Sequence, residues 1–316
     1  MSESVLTSYT CKLNDEQAAL LKAHLLERDY EMREVPHTRF AGHRDKLNVN
    51  FYNSGKLLVQ GKGAREFVEF VLEPEILKEA RLGYEAEINP DFIQPRIGVD
   101  ESGKGDFFGP LVVAGVYVNE AVVRLWQEKG IKDSKRVTSD KRVAELAKVI
   151  RETSGCIWTV VPIGPEAYNR MHRKMRTVNK MLAWGHARVI ENLMERRAEM
   201  VPPPERAISD QFARSKSTVA DALMELGKKI ELIQRHKAEE DLAVAGASIL
   251  ARAVFLQKMA ELSEKVGKTL PKGGGKPVDM VAAELVEERG DALLGSVAKL
   301  HFRNAARAMG QPEPPR

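Results

Sequence analysis

From Pro95 onward, short apolar runs alternate with long helical patterns, and this alternation limits the architecture more than any single motif does. RIGVD (96–100), PLVVAGVYV (110–118), CIWTVVPI (156–163), RAISD (206–210) and KKIELIQ (228–234) read as strands. Helical patterns fill 139–153, 165–198, 218–227, 241–266, 279–288 and 291–308. The expected product is an α/β domain, a sheet of these strands flanked by helices. Ligands gather at the carboxyl ends of strands in such sheets. Asp100 and Asp210 each close a strand, which makes them candidate site positions.

Before Pro95 the texture differs. LNDEQAALLKAHLLERD (13–29) opens on acidic residues and repeats Ala and Leu at helical spacing. In KLNVNFYNSGKLLVQGKG, Leu47, Val49 and Phe51 alternate with polar residues before an Asn-Ser-Gly turn and a second apolar run, a β-hairpin pattern. AREFVEFVLEPEIL then reads as a helix. These pieces make a small α+β unit, and EAEINPDFIQP (85–95), with two prolines, reads as the connection. The expected division is an N-terminal unit over 1–88, a linker over 89–95 and a second domain over 96–316.

With 43% hydrophobic and 30% charged residues the composition is that of a soluble globular protein. No uninterrupted apolar run reaches the roughly 18–20 residues of a membrane span, so no membrane association is expected. The first residues show no basic start followed by an apolar stretch, and Cys11 and Cys156 are too few for a disulfide framework. A cytoplasmic setting is expected. The net charge of +4 is compatible with a polyanionic partner but does not require one. Basic residues cluster in RMHRKMR (170–176), GKTLPKGGGK (267–276) and KDSKR (132–136). Without obvious heptads, a monomer is the default.

The segment GVDESGKGDFFGPLV (98–112) places Asp100 and Glu101 at the end of an apolar run, followed by Gly103-Lys104-Gly105. It fits a phosphate-binding loop until Gly105 stands where Ser or Thr is required. Two carboxylates inside such a loop would repel the phosphate, so the near match is coincidental. Adjacent carboxylates repel each other by about 4 kcal/mol at ~4 Å with an effective dielectric near 20. A cationic side chain, a shared proton or a divalent cation could offset this. Only the cation also accounts for acids arriving from elsewhere in the chain: Asp210, and the Glu239-Glu240-Asp241 cluster before AVAGASILAR. Each of these alone reads as well as a helix cap or first-turn acid.

DESGKGD resembles the signature of bacterial type 3 ribonucleases H, the ribonuclease HIII group. Type 2 enzymes usually carry an Arg-Gly-Pro ending where this chain has Lys104-Gly105-Asp106. DFFGPLVVAGVYV, KDSKR, Tyr168-Asn169, SDQF (209–212), HKAE followed by AVAGASILAR, LPKGGG and KLHF (299–302) are similar to further blocks of that family in the same order. The N-terminal unit, with SGKLLVQGKG, is similar to the TATA-box-binding-protein-like domain of type 3 enzymes. The resemblance implies an RNase H-like catalytic domain, a central mixed sheet flanked by helices, behind a small α+β substrate-binding domain. It also implies two divalent ions, Mg2+ or Mn2+, and cleavage of the RNA strand of RNA/DNA hybrids to leave 5′-phosphate and 3′-hydroxyl ends.

By the same resemblance the catalytic, metal-holding acids are Asp100, Glu101, Asp210 and Glu239. Glu240 and Asp241 stay as alternatives for the fourth, because the interval to Ala247-Ser248 is one residue shorter than in the family. In this scheme Asp100 bridges both ions, Asp210 serves the nucleophile side, and Glu101 and Glu239 serve the leaving-group side. Gly103, Lys104 and Gly105 are expected to meet the RNA strand through backbone groups that detect the 2′-hydroxyl, and Tyr168 to stack near the substrate. Lys135, Lys272 and His301 read equally as phosphate contacts or ordinary surface. Arg39, Arg44, Lys46, Asn48 and Asn50 could line a nucleic-acid-facing sheet that adds hybrid affinity. Alternative readings are a type 2-like enzyme acting on single ribonucleotides embedded in DNA, or a non-catalytic nucleic-acid-binding protein.

Overall fold

The computed structural model describes residues 7–78, 92–129, 131, 139–212, 217–235 and 238–312. The chain divides into two compact units, Met1–Ile93 and Gln94–Arg316. Residues 89–91 of the expected linker, and KDSKR with Lys135, lie outside the described residues.

The first unit contains β1 (Ser8–Lys12), α1 (Asp15–Glu27), β2 (Glu31–Met32), β3 (Thr38–Arg44), β4 (Leu47–Tyr52), β5 (Lys56–Gly61) and α2 (Ala64–Phe67), which continues as a π-helical stretch, Val68–Leu77. Asn14 starts α1 through a reciprocal capping box with Gln17. The sheet is antiparallel with order β1-β5-β4-β3-β2, and the expected hairpin is its β4–β5 pair. Leu47, Val49 and Phe51 alternate into a core with Leu21 and Leu25 of α1 and with Phe67 and Leu72. Asn48 and Asn50 therefore sit on the opposite face. Arg39 and Arg44 do not join them: Arg39 pairs with Asp15 of α1 at 2.7 Å, and Arg44 donates to the Arg28 carbonyl at 2.9 Å. These two arginines tie the sheet to its helix, which corrects the expectation that they line an open face.

The second unit runs β6 (Arg96–Ser102), β7 (Leu111–Val118), α3 (Glu120–Glu128), α4 (Asp140–Glu152), β8 (Ile157–Ile163), α5 (Pro165–Met175), α6 (Val178–Glu195), β9 (Arg206–Asp210), α7 (Ser217–Ala220), β10 (Glu231–Arg235), α8 (Leu242–Val266), α9 (Lys276–Arg289), α10 (Asp291–Val297) and α11 (Arg303–Ala308). All five expected strands form one mixed sheet in the order β10-β9-β6-β7-β8. Strands β10, β9 and β6 are parallel, and β7 is antiparallel to both β6 and β8. The helical pattern over 165–198 is broken where Arg176 turns left-handed at φ +67° and Thr177 caps α6. The pattern over 218–227 shrinks to short turns, and α3 adds a helix that the strand–helix alternation did not indicate.

Helix α6 covers one face of the sheet, where Ile97, Val99 and Val113 meet Ala187, Val189 and Leu193. Helix α8 covers the other. A β-carbon at Gly98 would lie 2.2 Å from the Ala243 carbonyl carbon, so only glycine lets the α8 backbone ride directly on β6. By length and composition α8 could cross a membrane, but 61% of its most apolar window is buried inside this unit. It serves as the central core helix.

Candidate active site

Parallel pairing of β6 with β9 aligns Val99 with Ser209, which brings the next residues, Asp100 and Asp210, to the same end of neighbouring strands. Side chains alternate along each strand. Val99 and Ala207 face the α6 core while Ile208 packs with Val244 of α8, so Asp100 and Asp210 share the α8 face and Glu101 faces α6. Ser248 of α8 hydrogen-bonds Asp100. The Ala238 N–H donates to Asp210 Oδ1 at 3.3 Å.

Burial first, and then the neighbouring Glu101 carboxylate, push the Asp100 carboxyl up to about 7. The Ser248 hydroxyl offsets only part of this. Glu101 behaves oppositely. Burial pushes its carboxyl up, but the hydrogen bond and charge of His186, with Lys104 behind them, outweigh burial and hold it below the usual carboxylate range. Two adjacent carboxyls thus differ because one has a hydrogen-bonding imidazole and the other does not.

The cluster before α8 separates into two roles. Asp241 is the N-cap of α8, accepting from the Ala243 N–H at 2.9 Å, and it accepts from the fully buried Arg96 Nε at 2.8 Å. Those bonds commit Asp241 to capping α8 and to neutralising Arg96. Glu239 lies in the short turn Ala238–Glu240 beside Asp210, and its side chain is outside the described residues. Among the described residues, no three His, Cys, Asp or Glu side chains form a metal-holding group.

Past Glu101 the chain turns at Gly103, with φ +87°, where a β-carbon would lie 2.3 Å from the Pro110 carbonyl oxygen. Glycine is required there by the fold. Gly105 is exposed, and a β-carbon on it would meet nothing within 4 Å. Lys104 lies between them, its Nζ 3.9 Å from Glu101 Oε1 and 5.5 Å from the Phe212 ring centre. Asp106 Oδ1 accepts from the Gly273 N–H at 2.6 Å, which joins the GKGD and LPKGGG segments. The buried Lys299 donates to the carbonyls of Asp106 at 2.7 Å and Gly109 at 2.8 Å. Burial pushes its ammonium down to about 7.

Tyr168 is not a surface stacking residue. It is fully buried, its ring stacks on His301 at 5.5 Å, and burial raises its hydroxyl above the usual tyrosine range. A tyrosine at a helix start packs inward when that helix face meets the core, as α5 does here against Leu111 and Leu182. His301 is half-buried in the same stack, pushed down to about 4 by burial and then by His172. Lys272 is exposed but paired with Asp140 at 2.8 Å. His186 and Lys299, which sequence reasoning did not single out, are buried ionisable groups that brace the site. Their one sequence signal is position: His186 falls on the apolar stripe Leu182, Val189, Leu193 of α6, and Lys299 sits inside the KLHF block.

Comparison with known proteins agrees with this arrangement. Residues 97–305 match the family described as Ribonuclease HII, and residues 9–81 match Domain of unknown function (DUF3378). Ribonuclease HIII of Chlamydia pneumoniae is 42% identical over 284 residues, 90% of this chain and 92% of that protein. Among solved structures, Bst-RNase HIII in complex with Mn2+ matches with TM-score 0.66 and 32% identity, covering 96% of this chain and 98% of that one. Aquifex aeolicus RNase H3 matches with TM-score 0.54 and 28% identity, covering 93% and 100%. The sheet carrying Asp100, Glu101 and Asp210 is therefore an RNase H-like fold, and the chain belongs to the ribonuclease HII family, within its ribonuclease HIII group.

Proposed function

We propose that this ribonuclease H cleaves the RNA strand of RNA/DNA hybrids, with divalent Mg2+ or Mn2+ ions held by Asp100, Glu101, Asp210 and Glu239. One observation carries the reading: Asp100 sits half-buried beside Glu101 with no cation paired to it among the described residues, and its carboxyl rises to about 7. An all-oxygen set with excess negative charge fits a hard divalent cation. When bound, such ions offset the charge of the scissile phosphate and lower the pKa of an attacking water.

The chain's own groups orient the substrate. Asp100 and Asp210, on one face, are the acceptors nearest the reacting phosphate, and Glu101 presents Oε1 from the other face. Gly105, open on its surface, admits the RNA backbone close enough for main-chain groups to test for a 2′-hydroxyl, and Lys104 meets a phosphate. Helix α5 adds a second contact. Val161 pairs with Val113 and Val113 with Glu101, so β8 delivers α5 at the acidic end of the sheet. Its Arg170, Arg173 and Lys174, and Arg176 at its C-terminal cap, are exposed and unpaired with any carboxylate among the described residues. These cations suit a polyanion's backbone. The N-terminal unit adds hybrid affinity through Asn48 and Asn50, and the protein works as a cytoplasmic monomer.

The deciding experiment incubates a labelled RNA/DNA hybrid with the protein and Mg2+, with all-RNA duplex, all-DNA duplex and chelator as controls. Hybrid-only, chelator-sensitive cleavage leaving 5′-phosphate ends is expected. Cleavage of all-RNA duplex at the same rate, or none of any substrate, would overturn the reading. A duplex with one embedded ribonucleotide separates type 3 from type 2 behaviour.

A further inference from the structure

His186 stands in the middle of α6, fully buried. A histidine on a core stripe ordinarily needs no explanation beyond satisfied hydrogen bonds. This one spends both ring nitrogens on the two strands that carry the acids: Nε2 lies 3.0 Å from Glu101 Oε2, and Nδ1 lies 2.9 Å from Ser209 Oγ. A carboxylate only accepts, so Nε2 carries the hydrogen. The Ser209 hydroxyl lies also 3.1 Å from the Asp210 carbonyl oxygen. One imidazole thus links the Glu101 side chain on β6 to the Ser209 hydroxyl on β9, the residue before Asp210. Phe212 packs edge-on against the imidazole at 5.0 Å and covers it.

We propose that His186 is a positioning residue that fixes the Glu101 carboxylate through the Ser209–His186–Glu101 chain, leaving Oε1 as the oxygen offered to a divalent ion. The inference rests on the nuclease reading of the acids above. A free glutamate side chain has three rotatable bonds, and each must be frozen when its carboxylate takes up a ligand. Here Oε2 is already held from the buried side, and Oε1 faces the rim, where Lys104 Nζ stands 3.9 Å away. Partners of this kind behind a metal-holding carboxylate change metal affinity or activity by about 10–100-fold when removed. The same ring ties β6 to β9, so loss of the chain loosens Glu101 relative to Asp210 without removing any acid.

The test uses the full-length protein and Mn2+ as the probe. His186→Phe keeps an aromatic of similar shape and removes both hydrogen bonds, whereas His186→Gln restores an N–H donor toward Glu101. Mn2+ affinity is measured by titration without substrate, and hybrid binding is measured separately in chelator. His186→Phe should bind Mn2+ about 10–100-fold more weakly, keep wild-type hybrid affinity in chelator, and need more metal for half-maximal cleavage. His186→Gln should recover most of the Mn2+ affinity. Ser209→Ala, which removes only the brace on Nδ1, should weaken Mn2+ binding in the same direction by less, and it decides the matter should His186→Phe fail to fold. Wild-type Mn2+ affinity in folded His186→Phe, with an active wild type alongside, would overturn the positioning role alone. A wild-type protein that neither binds Mn2+ nor cleaves hybrid would overturn the nuclease reading together with it.

Discussion

Strand β6 begins with a buried positive charge and ends with half-buried negative ones, and their surroundings treat the two ends differently. Arg96, fully buried, has its carboxylate partner at 2.8 Å, supplied by Asp241 as it caps α8. Asp100, four residues on, has a second carboxylate beside it, and its hydrogen bonds come from the neutral Ser248 hydroxyl and the Glu101 backbone. The first arrangement is charge neutralised within the protein. The second is charge left for something outside the protein to neutralise, and it is tolerated because an uncompensated carboxyl can take up a proton until an ion arrives. Both ends lie under the same helix, so burial by itself does not mark function; the lack of a partner does.

Breaking the neutralised end should have the largest effect on stability. Asp241→Ala strands Arg96 as a buried, uncompensated charge and removes the helix cap, and should cost the second unit about 3–5 kcal/mol in urea unfolding. Hybrid cleavage by the fraction that remains folded should persist. Asp100→Asn should do the reverse. Cleavage in Mg2+ should fall by about 10³-fold or more, equivalent to about 4 kcal/mol of transition-state stabilisation. In chelator the same variant should be more stable than wild type near neutral pH, by about 1–3 kcal/mol. The sign follows from the pKa: a folded value of about 7 against 3.8 means the folded chain holds a proton that the unfolded chain has released. That contribution is full below 3.8 and is lost as pH rises to about 7. Wild-type stability in chelator should therefore decline across that window, and Asp100→Asn should flatten the decline. Thermal unfolding at several pH values checks both.

The strand carrying Asp100 was legible from sequence because RIGVD is a short apolar run whose terminal charge has no core to enter, and RAISD repeats the form. Those two runs give the site's location as well as the sheet's centre. What could not be read is pairing across long stretches of chain. His186 reaches Glu101 across 85 residues and Lys299 reaches Asp106 across 193, and no local pattern encodes either contact. Tyr168 shows the same gap in the other direction. Its position beside a family block invited a substrate contact, but which face α5 turns to the core is decided by Leu111, Met181 and Leu182 from other elements. The break at Arg176 escaped because apolar periodicity continues through it, and only the Thr177 cap signals the new helix.

The two glycines beside Lys104 repeat the contrast between structural and functional burden. Gly103→Ala places a β-carbon against the Pro110 carbonyl in a left-handed conformation, and should cost about 1–3 kcal/mol of stability. Gly105→Leu has open space and should leave unfolding unchanged while weakening hybrid binding in chelator by about tenfold, or about 1.4 kcal/mol. Loss of stability in Gly105→Leu, or unchanged hybrid affinity, would place the 2′-hydroxyl test elsewhere.

The smallest effect concerns cations on the surface. Arg39 is paired with Asp15, whereas Arg173 and Arg176 of the α5 end are exposed without a carboxylate partner among the described residues. If unpaired charge marks ligand contact, removing it should change how binding responds to salt. The logarithm of hybrid affinity falls with the logarithm of salt concentration by about 0.7–0.9 per phosphate neutralised. Arg173→Ala with Arg176→Ala should lower that slope by about 1–2 and leave the cleavage rate at saturating hybrid near wild type. Arg39→Ala removes one cation as well, yet should leave the slope unchanged, because its guanidinium is already committed to α1. Equal slopes in all three proteins would show that the exposed cations of α5 face only solvent, and that the contrast between paired and unpaired charge holds at the sheet end but not on the surface around it.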